Sequence, residues 1–190
     1  SVNGKSCSSC HGDVKKSMRG VSAQYPKVFK KQLINLEARI NICRTTRQGL
    51  SSFNYESKPL LDLSTLIAFQ SRGLPIKASV NRDTENDLRE GKQLYFQRIG
   101  QLNLSCAQCH DERAGLKLAG STIPQGHPTA YPIYRLEWQG MGSLQRRLRN
   151  CMSGVRAEQY PYGSKELTQI ELFLMQRASG MKIESPGIRP

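Results

Sequence analysis

Cys7-Ser8-Ser9-Cys10-His11 and Cys106-Ala107-Gln108-Cys109-His110 are two copies of one pattern, C-x-x-C-H, in a chain of 190 residues with six cysteines and three histidines. The spacing is that of covalent haem attachment. Two thiols add to the two vinyl groups of a porphyrin, and the adjacent histidine lies under the iron as its proximal ligand. Cys7, Cys10, Cys106 and Cys109 are therefore expected to attach two haem c groups, with His11 and His110 as proximal ligands. Zinc is the competing reading. It needs four nitrogen or sulfur ligands, so both motifs would have to meet to close a single site.

Outward from the motifs, the chain repeats. Leu36-Glu37-Ala38-Arg39-Ile40-Asn41-Ile42-Cys43 and Leu144-Gln145-Arg146-Arg147-Leu148-Arg149-Asn150-Cys151 share Leu, Arg, Ile or Leu, and Cys at positions that fall on one helix face. Each is followed by a second helical pattern, Leu60 to Gln70 and Glu166 to Gln176, stopped by Gly73 and Gly180. The expected fold is mostly α: two cytochrome c-like helical haem domains related by an internal repeat, with long loops and little strand. The expected boundaries are 1–80 and 81–190, joined by the polar stretch Ser79 to Asn86. A helix over Asp87 to Phe96 leads into the second motif, and Gly115 to Gly142, with three prolines, reads as a long loop. The first motif begins at Cys7, so its leading helix is missing and the natural chain is expected to extend further at the N-terminus.

The formal net charge is +13. A basic balance suits an anionic small molecule or an acidic partner. No alternation of basic and aromatic residues supports nucleic acid as a partner. No apolar run reaches the 18 residues of a membrane span. Covalent haem attachment places the chain in the periplasm or an equivalent space, with its export signal removed.

Each haem iron needs a sixth ligand or an open position. Met18 follows His11 too closely to reach the opposite face easily, which leaves Cys43 in the first half, and the repeat then nominates Cys151 in the second. Other readings stay open: a Cys43–Cys151 disulfide, two plain buried thiols, Met152 beside Cys151, or His127 in Gly126-His127-Pro128. Arg147 stands one turn before Cys151 on the same helix face. Cations beside a thiol favour thiolate, and guanidinium offers a fork of donors suited to oxyanions. Arg146 and Arg149 read better as partners of haem propionates or as solvated side chains, and Arg39 as a propionate partner or a packing residue.

These residues resemble the SoxA family, the dihaem subunit of the SoxAX cytochromes of bacterial thiosulfate oxidation. The likeness rests on Cys7 to His11, Asn35 to Arg44, Gly126 to Pro132, Tyr134 to Gly140 and Arg147 to Glu158, and covers essentially the whole chain. The resemblance implies an L-cysteine S-thiosulfotransferase. Thiosulfate would be joined oxidatively to a carrier-protein cysteine of a SoxYZ-like complex, and two electrons would leave through a cytochrome c acceptor. It implies Cys151 as both iron ligand and catalytic sulfur, carried as a persulfide, and Arg147 as the holder of thiosulfate. It also implies a SoxX-like monohaem cytochrome as heterodimer partner. The alternatives are a thiosulfate dehydrogenase that forms tetrathionate, and a dihaem cytochrome that only transfers electrons.

Overall fold

The structure, a computed structural model, describes residues 4–118 and 120–189. In chain order the elements are α1 (Cys7–His11), α2 (Val14–Ser17), β1 (Lys27–Phe29), β2 (Gln32–Ile34), α3 (Leu36–Arg47), α4 (Lys58–Phe69) and α5 (Glu85–Phe96). There follow α6 (Cys106–His110), β3 (Lys117–Leu118), β4 (Ser121–Thr122), β5 (Ile133–Arg135), β6 (Gly140–Gly142), α7 (Leu144–Gly154), α8 (Lys165–Arg177) and β7 (Gly187–Arg189). Helices α3, α6, α7 and α8 start where the sequence offers a side-chain acceptor. Asn35, Ser105, Ser143 and Ser164 each accept a backbone N–H from the first turn that follows, which answers one of the donors that a helix start leaves unpaired.

The fold is mostly helical, as the patterning predicts. One correction concerns Gly115 to Gly142. Instead of a plain loop it forms two hairpins, β3–β4 and β5–β6, the second interrupted by a 3-10 turn over Leu136–Trp138. Short strands of two or three residues carry too little alternation to be seen in sequence. β7 then pairs in parallel with β5 and aligns Arg135 with Arg189.

Two clusters build the separate halves. Tyr25, Ile34 and Leu36 close over α3. Tyr95, Ile170, Phe173 and Leu174 fill the crossing of α5 and α8, and Cys106, Leu144 and Leu148 pack against them. The third cluster is shared: Ala23 and Ile76 from the first half meet Ala178 and Ile183 from the second. Beside it the repeat-related segments exchange backbone bonds in both directions. Gly73 donates to Ile183 (2.8 Å) and Gly180 to Ile76 (2.9 Å), while Ile76 donates to Met181 (2.8 Å) and Ile183 to Leu74 (2.9 Å).

The same interface buries acid. Glu37 of α3 and Glu171 of α8 are 8% and 6% exposed, and both line a cavity of about 80 Å³ whose walls include Tyr25 and Tyr131. Burial, then the neighbouring carboxyls, pushes Glu37 up to about 7 and Glu171 well above the usual carboxylate range. Glu56, Tyr55 and the Arg146 guanidinium, 4.0 Å from Glu56, complete the charged and titratable surroundings. The amides of Asn35 and Gln145 approach Glu171 without reaching hydrogen-bond alignment.

The folded protein keeps protons that the unfolded chain gives up above about 4.5. The stability from these acids is therefore complete below that value and is lost as pH rises through 7. Unfolding of the holoprotein should become easier from about pH 5 to 8, by on the order of 2–3 kcal/mol for Glu37 alone. Glu171→Gln should flatten that dependence in urea titrations. An unchanged slope would mean the acids are already ionised in the fold.

Candidate functional site

The second motif lies on α6. Ser105 Oγ accepts from Gln108 N (3.3 Å) and Gln108 Oε1 accepts from Ser105 N (3.0 Å), a reciprocal cap that fixes the start of the helix. Cys106 and Cys109, three residues apart, fall on one face. His110 Nδ1 lies 2.7 Å from the Pro124 carbonyl oxygen. A carbonyl only accepts, so Nδ1 carries the proton and Nε2 is left free for a metal. Tyr95 Oη donates to Asp111 Oδ1 (2.9 Å), which also pairs with Arg177 (2.6 Å), and this fixes the residue next to His110.

Cys151, half-buried on α7, comes close to this motif. Burial pushes the Cys106 thiol up to about 11, and the nearby Cys151 adds to the rise. Tyr131 closes the group: burial lifts its hydroxyl to about 12, Arg147, Arg135 and Arg189 pull it down, and Cys151 pushes it up. The second half thus brings Cys106, Cys151, Tyr131 and Arg147 together. Two thiols on one helix turn, an imidazole with a fixed tautomer and a sulfur close by form a donor set that fits haem c.

The first half repeats this less tightly. Cys7, Cys10 and His11 are exposed, and α1 buries none of its side chains. Cys43 is half-buried on α3 near Tyr25, whose hydroxyl is raised by burial and by Cys43 and lowered by Arg39. Gln48 Nε2 donates to Lys5 O (2.9 Å), tying the end of α3 to the segment before the first motif. Tyr25-Pro26 and Tyr131-Pro132 therefore belong to the repeat, each ahead of a hairpin and the cysteine-bearing helix. That Tyr-Pro pair was readable in sequence and extends the repeat backwards.

The rival ligands lie elsewhere. Cys43 and Cys151 are free thiols and form no disulfide. Met152 is buried and lines a separate cavity of about 600 Å³ with Ile99, Arg156 and Tyr160. His127 stands beside Arg177 and Asp111, and burial lowers its pKa.

Among the arginines, Arg147 is 32% exposed, with Nη1 3.8 Å from Glu137 Oε1. Arg135 is less exposed, and its Nε lies 2.8 Å from the same oxygen without hydrogen-bond alignment. Arg149 is committed elsewhere: it lies over the Tyr162 ring and donates to the Tyr160 carbonyl. Arg146 lies over Trp138 and Arg39 over Phe29. Neither Arg135 nor Glu137 stands out in sequence, because the hairpin that brings them to α7 is not legible there.

The cytochrome c domain model of the SoxA/TsdA family matches residues 1–76 and 90–183. The chain belongs to the SoxA/TsdA cytochrome c family. Haem c is accordingly its cofactor. The L-cysteine S-thiosulfotransferase subunit SoxA of Pseudaminobacter salicylatoxidans is 38% identical over 189 residues, covering 98% of this chain and 66% of that protein. Its counterpart from Paracoccus pantotrophus is 35% identical over 190 residues, with 99% and 65% covered. The chain thus spans slightly less than two thirds of these relatives. The crystal structure of SoxXA from P. pantotrophus superposes with a TM-score of 0.95 at 34% identity, covering 100% of this chain and 72% of that one. No helix among the described residues is long and apolar enough to cross a membrane.

Proposed function

We propose that this chain is the SoxA-like subunit of an L-cysteine S-thiosulfotransferase. The observation that carries this reading is the gathering of Cys151, Arg147, Tyr131 and Cys106 in the second half. A sulfur beside a haem-attachment motif, with guanidinium donors around it, suits the oxidative joining of two sulfurs. The reaction balances as thiosulfate dianion plus carrier thiol giving an S-thiosulfonate monoanion, one proton and two electrons. Haem supplies the one-electron steps when bound. Cys7, Cys10 and His11 would hold one haem c and Cys106, Cys109 and His110 the other, with Cys43 and Cys151 as distal ligands. Cys151 would also be the catalytic sulfur, and Arg147 would hold and orient thiosulfate.

Support for a SoxX-like partner comes from the SoxXA structure, and the relatives' name suits thiosulfate and a cysteine acceptor. A SoxX-like monohaem cytochrome would form the heterodimer, a SoxYZ-like carrier would present its cysteine, and a cytochrome c would accept the electrons. The net charge of +13 favours the approach of thiosulfate. We place the protein in the periplasm, where haem attachment of this kind occurs. The division into 1–80 and 81–190 is supported by the family match, which resumes only at residue 90.

Intact mass of the purified holoprotein tests the cofactor content: two haem masses are expected, with about 32 Da more on the Cys151 peptide if it carries an extra sulfur. Turnover tests the activity. Arg147→Ala should lower kcat/KM for thiosulfate by about 10- to 100-fold, the scale of a lost charge-assisted hydrogen-bonding partner, with haem content unchanged. Unchanged kinetics would assign Arg147 to structure. Free tetrathionate as the product would replace this reading with that of a thiosulfate dehydrogenase.

A further inference from the structure

Arg135 and Arg147 share one carboxylate oxygen. Glu137 Oε1 is 2.8 Å from Arg135 Nε and 3.8 Å from Arg147 Nη1. The third arginine of the group, Arg189, already has its own acid, with Nη2 3.5 Å from Glu184 Oε2. Two guanidinium groups thus face a single negative charge. The fit is poor for that acid: Arg135 Nε is buried and points at no acceptor with hydrogen-bond alignment, and the Arg147 contact is too long for a hydrogen bond. A buried charged donor left in that state is costly. A small oxyanion with several oxygens and two charges matches the pair better than one carboxylate does, because each fork could receive its own acceptor. Glu137 is free to leave. It sits in the 3-10 turn at the hairpin tip with its side chain 45% exposed, so it can turn to water at little cost.

We propose that Arg135 and Arg147 are the two arms of one seat for a dianionic sulfur oxyanion, and that Glu137 occupies this seat until the anion displaces it. The inference rests on the reading of Arg147 as the thiosulfate-holding residue and adds Arg135 as a second arm and Glu137 as a selectivity residue. Displacing Glu137 costs the same for any incoming anion. A dianion recovers that cost and more, whereas a monoanion only exchanges one negative charge for another. Glu137 therefore discriminates against chloride and other monoanions. It touches no reacting atom, so its effect falls on binding and not on the chemical step.

The test uses the holoprotein with its partner cytochrome for turnover, and the holoprotein alone for calorimetric titration with sodium sulfate as a non-reacting dianion. Glu137→Gln should lower KM for thiosulfate about 3- to 5-fold, the range of a partly exposed ion pair, with kcat unchanged. Sulfate should bind more tightly by a similar factor, and chloride should become a better inhibitor. Arg135→Gln should weaken sulfate binding, and should do so in the Glu137→Gln background as well. An unchanged haem spectrum in each variant checks that the fold is intact. Unaltered or weaker sulfate binding in Glu137→Gln, with chloride inhibition unmoved, would show that the acid braces the arginines and would overturn the proposal. If that happens while Arg147→Ala still impairs turnover, only the seat is refuted. If Arg147→Ala is also without effect, the thiosulfate reading fails with it.

Discussion

Cys151→Met is expected to keep the full complement of haem and to lose sulfur transfer by at least ~100-fold, because the reactive sulfur is the one group no neighbour can replace. Methionine preserves a sulfur at the position on α7 that comes close to Cys106 and Tyr131. It cannot form a thiolate or accept a second sulfur. Haem attachment, which we assign to Cys106, Cys109 and His110, should be untouched. The measurement is the formation of carrier-bound product, alongside haem content by absorbance of the denatured protein. Retained turnover would remove Cys151 from the chemistry and leave only electron transfer for this half. The variant also separates two roles assigned to one atom. A ligand can be exchanged with a change in spectrum, while a nucleophile cannot be exchanged at all.

The second large effect is on stability. Gly91 sits where α5 crosses α8, and a Cβ there would lie 2.1 Å from the Gln169 carbonyl oxygen and 2.6 Å from its carbon. The obstacle is backbone, so no rotamer change relieves it. Gly91→Ala would gain about 1 kcal/mol of helix propensity. It must also move two helices apart across Tyr95, Ile170, Phe173 and Leu174. The net loss should be about 2–3 kcal/mol, at the upper end for overpacking a core, or a fall in Tm of about 5–10 °C for a chain of this size. Gly154→Ala is the control, since an added Cβ there meets open space and should leave Tm nearly unmoved. Equal Tm values for the two variants would mean that the α5–α8 crossing is looser than this packing.

Much of this was legible in the chain itself. The C-x-x-C-H motifs and the Leu-x-x-Arg helices sit in regular elements, where residue spacing maps directly onto a face, while α4 and α8 end at Phe69 and Arg177, ahead of Gly73 and Gly180. Arg147 and Cys151 lie on one helix, so their shared face follows from periodicity alone. Arg135, Glu137 and Pro124 do not yield to that reasoning. They sit in short hairpins and loops, and their nearness to α6 and α7 depends on pairings such as β5 with β7. The buried acids were hidden for another reason. Glu37 and Gln145 hold the same place in the two copies of the repeat, as do Ser64 and Glu171. Only their meeting across the interface shows that the acid has changed sides. Glu37 faces Ser64 in one half, and Gln145 faces Glu171 in the other.

The mutual bonds of Gly73, Ile76, Gly180 and Ile183 give the molecule an internal dyad. Each half offers the other the same edge, as the protomers of a symmetric homodimer do. The relation between the two edges that meet there follows that rotation and not the tether of residues 79–84. Either half alone would expose a surface complementary to itself.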